Sequence, residues 1–476
     1  MKNLIRIIFC LSLAAVIAFC LAACGGDDAS ETDFTIDWST ENPFYGETLT
    51  IGTTQGFFNE EAFARTYMRA NPGTTIEIIN YGQISDHRGM PIAANIEAIT
   101  ARVGMQMMTG TAPTLLTGVL VDYRNLNTAL LLTDWAPIME AHPGFYEDEW
   151  DMNFFEAMSV NGQMFAFPAT YSFNYIVANS QVPGLVEAFS QYDSISLWDM
   201  VELYEQFAPQ YRSMYLFSEM DIFYVVWSVL HDFLDLQSDV VDFDNQAFID
   251  LITWARDNTP PREIRRHLQV LHTEDRGNTH GAELFFSQHY LFRTIPVYFF
   301  EYFPVLESDT IFLNPLPVVN ANGDLVAWVN REYVLNAGAT PIQQLLALDF
   351  MMFMNNPDDV TMWLAHRDYY GNIPTNNPKL QFTAETTFLN MINQYFTGPS
   401  AHTQHQMAVS REEAVVMLYE EMARIREMPK ADSRFAPQMI RDTLSEILGQ
   451  FQDGLITAEQ AAQDLQNRLT LILMEM

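Results

Sequence analysis

The chain has 476 residues, 49% of them hydrophobic, and carries 60 Asp and Glu against 24 Lys and Arg, a formal net charge of −36. So acidic a surface repels nucleic acid and anionic lipid headgroups and works against steering of an anionic ligand. The length predicts two or three domains, and with only Cys10, Cys20 and Cys24 present the body must be held by its core without disulfides.

Lys2 and Arg6 give a positive start, and small residues precede Cys24. Between them, residues 7–22 form an uncharged apolar run, shorter than the ~20 residues a membrane-spanning helix needs. This is the pattern of an export signal. Leu21, Ala22, Ala23 and Cys24 resemble the lipobox of bacterial lipoproteins, in which the cysteine takes a diacylglyceryl group before cleavage. The resemblance implies a signal peptide over 1–23, lipidation of Cys24 and anchoring at the outer face of the cytoplasmic membrane, where two acyl chains suffice for stable attachment. An uncleaved anchor helix with an incidental cysteine is the alternative. Residues 24–46 are polar, acidic and aperiodic, as expected of a flexible tether.

The body then alternates strand and helix patterns. Residues 47–53 (ETLTIGT) alternate like a strand, 59–69 look helical and end at an Asn71-Pro72-Gly73 turn, and 75–81 (TIEIINY) form a second strand. Residues 93–108 are helical and stopped by Gly110, and 114–121 make a third apolar run of strand length. Strand, helix, strand, helix, strand implies right-handed crossovers and a largely parallel sheet, with ligands at the carboxyl ends of its strands. Near the C-terminus, Leu444, Ile447, Leu448 and Phe451 share one helical face, and Thr457 with Gln460 predicts a capping box for a final helix.

Several segments, in order, resemble the extracellular solute-binding proteins (family 1) that serve carbohydrate ABC importers. Thr109-Gly110-Thr111-Ala112-Pro113 resembles the family's turn before the third strand, with Thr114 where an Asp is usual. Leu131 to Asp134, Asn161 to Pro168, Tyr175 to Asn179, Pro315-Leu316-Pro317 and Gly371 to Pro374 match later family segments. The ending, with Asp453-Gly454, Thr457 to Ala461 and Gln466 to Arg468, matches as well. The resemblance covers nearly all of the chain after the leader. It implies an α/β, two-lobed, periplasmic-binding-protein-like (Venus flytrap) fold with three hinge crossings, near Phe167, Thr294 and Tyr333, and a helical C-terminus. One lobe is expected over 47–166 with 295–332, the other over 167–294 with 333–476. Solute sits between them, and closure docks the protein on ABC permease subunits. A monomer is expected, with no cofactor.

A sugar site needs flat rings for C–H faces and fixed polar groups for hydroxyls. With 34 Phe, 20 Tyr and 8 Trp, most rings must be core, so Tyr and Trp near crossings and strand ends are the candidates. After the first strand these are Thr54 and Gln55; after the third, Asp122 and Tyr123, a carboxylate beside a ring. Tyr171 and Asn174 lie at the first crossing. At the second are Tyr298, Glu301 and Tyr302, in a YFFEYF segment that has Tyr or Phe where the family often has Trp. Trp328 and Glu332 flank the third, Tyr370 precedes the Gly371 loop, and Trp227 lies in a helix that suits core packing equally well.

Competing classes find less support. No G-x-S-x-G, H-E-x-x-H, P-loop or G-x-G-x-x-G occurs, and carboxylate pairs mean nothing among 60 acids. His272, His280 and His289 are too widely spaced for a compact metal motif, and His402 with His405 is a lone pair. A surface glycoside hydrolase, a binder of peptide, polyamine or metal on the same fold, and a partner of a sensor kinase remain as alternatives.

Overall fold

The computed structural model describes residues 36–55, 60–83, 93–123, 130–179, 182–211, 215–217, 222–236, 240–259, 290–296, 315–355, 373–376, 411–432 and 438–475. Cys24, Tyr298, Glu301, Tyr302 and Tyr370 lie outside the described residues. The chain divides into a unit ending at Pro43 and one beginning at Phe44. In the first, Asp37 closes a turn by accepting the Ser39 N–H at 3.0 Å and hydroxyl at 2.6 Å. Those bonds hold its carboxyl below the usual range.

The second unit opens with β1 (Thr48–Gln55), α1 (Glu60–Ala70), β2 (Thr75–Gln83), α2 (Ala93–Met108) and β3 (Leu115–Thr117). β1 pairs in parallel with both β2 and β3, as the strand–helix alternation predicts. α1 places Glu60 and Glu61 in its first turn and Arg69 in its last, which suits its dipole. The third strand is shorter than its apolar run: after Thr117 the chain winds into a 3₁₀ turn over Gly118–Leu120.

Two short helices follow, α3 (Ala136–Ala141) and α4 (Met152–Ala157), then the long β4 (Ala166–Ala178). β5 (Ile195–Ser196) leads into α5 (Leu197–Phe207) through a Ser196–Asp199 capping box. β6 (Tyr215–Phe217), α6 (Ile222–Ser228) and α7 (Gln246–Asn258) come next, and then β7 (Tyr290–Pro296), β8 (Leu316–Val319) and β9 (Leu325–Leu335). The rest is α8 (Pro341–Asn355), β10 (Ile373–Pro374), α9 (Arg411–Glu427), β11 (Lys430–Asp432), α10 (Gln438–Gln452) and α11 (Ala458–Glu475). The predicted Thr457–Gln460 box opens α11, each residue's N–H reaching the other's side chain.

The main sheet runs β2-β1-β3-β9-β8-β4-β7-β6, with β9 also on β4, β10 on β4, β11 on β9 and β5 on β8. Two hydrophobic clusters lie along it. One holds Val103, Leu116, Tyr123, Phe154, Tyr171, Phe173, Val329 and Val334. The other gathers Ile176, Leu203, Val225, Phe248 and Phe292 with Leu444, Leu448 and Leu465 from the C-terminal helices. β4 contributes to both, its Tyr171, Phe173 and Tyr175 to the first and Ile176 and Ala178 to the second. β9 behaves likewise, ending against β3 while its Val326 packs on the second cluster. Residues 333–355 reach elements from the first part of the chain. The end of β9 pairs with β3, and α8 packs on β1, α1 and α3 rather than joining the C-terminal helices. Conversely, Leu316 and Val318 belong to the second cluster. A segment's place in the chain does not reveal which core its apolar face finds.

Candidate functional site

β4 and β9 run antiparallel, with Trp328 opposite Ser172, Val329 opposite Tyr171, Arg331 opposite Thr170, Glu332 opposite Pro168 and Tyr333 opposite Phe167. Asn330 in β9 and Ala169 in β4 are extra residues, a pair of opposed bulges that cancel one another in register. They nevertheless exchange the faces. Below them the odd residues Tyr171, Phe173, Ala327 and Val329 face the first cluster; above them it is the even residues Ala166 and Val334. Trp328 and Glu332, four apart, would share a face in a regular strand. The bulge puts them on opposite ones.

Trp328, Asn330, Ser172 and Asn174 form a polar band on the face turned away from the first cluster. The Trp328 indole N–H donates to Asn330 Oδ1 at 3.1 Å, and the Asn330 amide donates to Ser172 Oγ. Trp328, Asn330 and Asn174 are half-buried, so a ring and two amides stand partly open beside fixed hydroxyl and amide groups. Asn174 and Trp328, both candidates from the sequence, lie on this one face. Ser172 and Asn330 add to them. For Asn330 the signal in the sequence is the run Asn330-Arg331-Glu332, three polar residues interrupting an apolar strand.

On the other face, Tyr123 is buried and donates to Glu332 Oε2 at 2.8 Å. Gly118 makes this possible, because a Cβ there would collide with the Glu332 side chain. Asp122, one residue earlier, is exposed. The ring thus lies against a second carboxylate, Glu332, from a strand distant in the chain.

Buried charges brace both strands. Arg331 donates through Nη2 to Glu60 Oε1 at 3.3 Å and through Nε to the Tyr333 hydroxyl at 2.8 Å, which in turn donates to Glu60 at 3.1 Å. The trio ties β9 to the start of α1. Tyr171 stands elsewhere than in the polar band. It is 2% exposed, lies 4.6 Å from the Phe154 ring and donates to Asp151 Oδ2 at 2.8 Å. Asp151 also pairs with Lys430 at 3.0 Å, whose ammonium meets the carbonyls of Ile425, Arg426 and Met428 around the end of α9. Burial lowers the Lys430 ammonium pKa, against the pull of Asp151. Burial, with Asp151 alongside, pushes the Tyr171 phenol well above its usual range. Tyr175, donating to Glu421 at 3.0 Å, is raised for the same reasons. No motif marks Glu60, Arg331, Asp151 or Lys430 in the sequence, since a buried charge looks like a surface one until the fold surrounds it.

The remaining candidates scatter. Gln55 ends β1, its backbone in register with Gln83. Trp227 stacks on Phe223 at 5.5 Å and sits 5.1 Å from the Arg441 guanidinium, packed against the second cluster. A surface cavity of about 480 Å³ opens beside Trp150, Asn153 and Arg426, its rim carrying Glu147, Asp148 and Glu427. Among the described residues no group of three or more His, Cys, Asp or Glu is placed to hold a metal ion, and no helix is long and apolar enough to cross a membrane.

No protein-family model and no curated protein matches the sequence. Solved structures do match, over nearly their whole length. An extracellular solute-binding protein family 1 from Alicyclobacillus acidocaldarius is 12% identical, with 90% of this chain and 98% of that one covered and a TM-score of 0.52. The fold is that of the solute-binding proteins. The sugar-binding protein MalE from Xanthomonas citri, 12% identical, covers 90% and 98% with a TM-score of 0.54. A periplasmic oligogalacturonide binding protein from Yersinia enterocolitica, 10% identical, covers 90% and 99% with a TM-score of 0.55. At such identities the likeness is one of fold, and it accounts for the two clusters joined by shared strands.

Proposed function

We propose that this chain is the solute-capturing component of an ABC importer, held by a lipid on Cys24 at the outer face of the cytoplasmic membrane. It binds an oligosaccharide between its lobes and hands it to a permease. The observation that carries the reading is the Trp328–Asn330–Ser172–Asn174 band on the strands that join the two clusters. A half-buried indole offers a face for sugar C–H groups, and amides in fixed positions suit hydroxyl edges. The solved structures with this fold include sugar-binding proteins, which supports the solute class. A net charge of −36 favours a neutral cargo over an anionic one. The role is binding without chemistry: lobe closure is driven by tighter contacts in the closed state.

The test is a thermal-shift screen of the chain freed of its first 24 residues against oligosaccharides, with metals, amino acids, peptides and polyamines alongside. A ligand at about 100 times its dissociation constant stabilises the fold by about 2.7 kcal/mol. A shift with one sugar, and no consumption of it, is the expected result. A shift only with a metal, peptide or polyamine would keep the fold and change the cargo, and hydrolysis of the sugar would overturn the function. For the anchor, Cys24→Ala in the full chain should release protein to the medium; a variant that still fractionates with membranes rules the lipid out.

A further inference from the structure

Asn330 is held in the polar band from two sides, and the chemistry of its neighbours dictates how it lies. An asparagine amide fits a site either way round, oxygen and nitrogen exchanged, unless its partners discriminate. An indole N–H can only donate. The Trp328 N–H meets the Asn330 amide at 3.1 Å, so the atom there is Oδ1. That turns the amide nitrogen to the other side, where it donates to Ser172 Oγ. Ser172 is 3% exposed and lies opposite Trp328 in the ladder, so neither hold depends on a mobile surface group.

The amide offers two N–H donors and an oxygen with two lone pairs, and the two neighbours take one of each. The second N–H and the second lone pair have no partner among the described residues, and Asn330 is half-buried, so solvent reaches them. As the extra residue of the β9 bulge, Asn330 stands outside the regular pairing, and a bulge re-aims the side chain it carries. One planar group therefore presents a donor and an acceptor together, beside the face of a half-buried indole. Trp328, Asn330, Ser172 and Asn174 carry no charge, and the next cation along β9, Arg331, is paired with Glu60. A sugar carboxylate would find no counter-ion in the band.

We propose that Asn330 reads two adjacent hydroxyls of a neutral pyranose, donating to one and accepting from the other, and that Ser172 and the Trp328 N–H are its positioning groups. The Trp328 edge orients the amide while its face takes the C–H side of the same ring. The inference rests on the sugar-binding reading above and narrows it to uncharged sugars with an unsubstituted vicinal diol.

The test uses the chain freed of its first 24 residues. Without any sugar, the Trp328 indole N–H is found in nitrogen–proton correlation spectra as the one of eight tryptophan signals that Trp328→Phe removes. Asn330→Leu should make that proton exchange with solvent about 10-fold faster. An unchanged rate would show that the indole does not hold the amide and would overturn the inference. Binding is then read by titration calorimetry with xylotriose, cellotriose, maltotriose and mannotriose. For whichever of these binds the unaltered protein, Ser172→Ala, which removes only the acceptor behind the amide, should weaken binding about 10-fold. Trp328→Phe, which keeps a ring and loses the N–H, should do the same, and Asn330→Leu decides the point if Ser172→Ala fails to fold. A sugar that binds Ser172→Ala and Asn330→Leu as tightly as the unaltered protein would sink this inference and leave the sugar-binding reading standing. If none of the four binds the unaltered protein, that reading falls and the diol with it.

Discussion

The Tyr123 phenol donates to the Glu332 carboxylate at 2.8 Å across 209 residues of chain, joining the segment after β3 to β9. Glu332 is half-buried, and a carboxylate screened from water that loses a charge-assisted donor is left poorly solvated. Tyr123→Phe should therefore cost about 1–3 kcal/mol in urea unfolding. Glu332→Gln combined with it should cost less than the two singles added, and strict additivity would show that the pair is not coupled.

Gly118 is the seat of that pair. Gly118→Ala sets a methyl against the Glu332 side chain, and overpacking of this kind costs about 1–3 kcal/mol. The same substitution in a Glu332→Ala background should be nearly neutral, since the clash is gone. Equal losses in both backgrounds would assign the cost to the backbone of the 3₁₀ turn instead.

Glu60 and Arg331 are a buried ion pair, their side chains 3% and 5% exposed. Glu60→Gln takes the opposing carboxylate from the buried guanidinium and should cost about 3–5 kcal/mol, more than the double variant Glu60→Leu with Arg331→Met. Chemical denaturation of the three proteins decides it. If the double variant were the least stable, the pair would be a net stabiliser and not a device for fixing α1 against β9.

Alkaline stability follows from the phenols. Tyr171, Tyr175 and Tyr333 are raised well above their ordinary value near 10, in each case chiefly by burial, and Tyr67 is raised by burial and by Asp349. Above pH 10 the unfolded chain gives up protons that the folded chain keeps, so stability is flat below pH 10 and falls as pH rises beyond it. Each phenol contributes a slope of about 1.4 kcal/mol per pH unit. Urea melts between pH 8 and 11 should show the slope flatten in Tyr171→Phe.

Trp328→Ala should weaken sugar binding by about 1–3 kcal/mol, whereas Tyr171→Phe should lower stability and leave affinity unchanged. Titration calorimetry on both separates a ring that stacks on solute from one that serves the core. Loss of affinity in the Tyr171 variant alone would reverse the assignment.

The sequence by itself carried the alternation of strand and helix through β3, the boundaries of α2, and the capping box of α11. Each depends on neighbours within a few residues: side-chain period, a stop at Gly110, a Thr and a Gln three apart. It also pointed to the two-lobed fold, through segments whose order outweighs their individual weakness. What it left undecided was facing and partnership. Trp328 and Glu332 look like one site until two opposed bulges turn them apart, and Tyr171 looks like a platform until Asp151, Phe154 and Lys430 close over it. Lys430 and Arg331 read as surface charges, yet the fold buries both. Which face a strand residue takes, and whether a charge keeps its water, are set by contacts hundreds of residues away, so only the tertiary structure decides them.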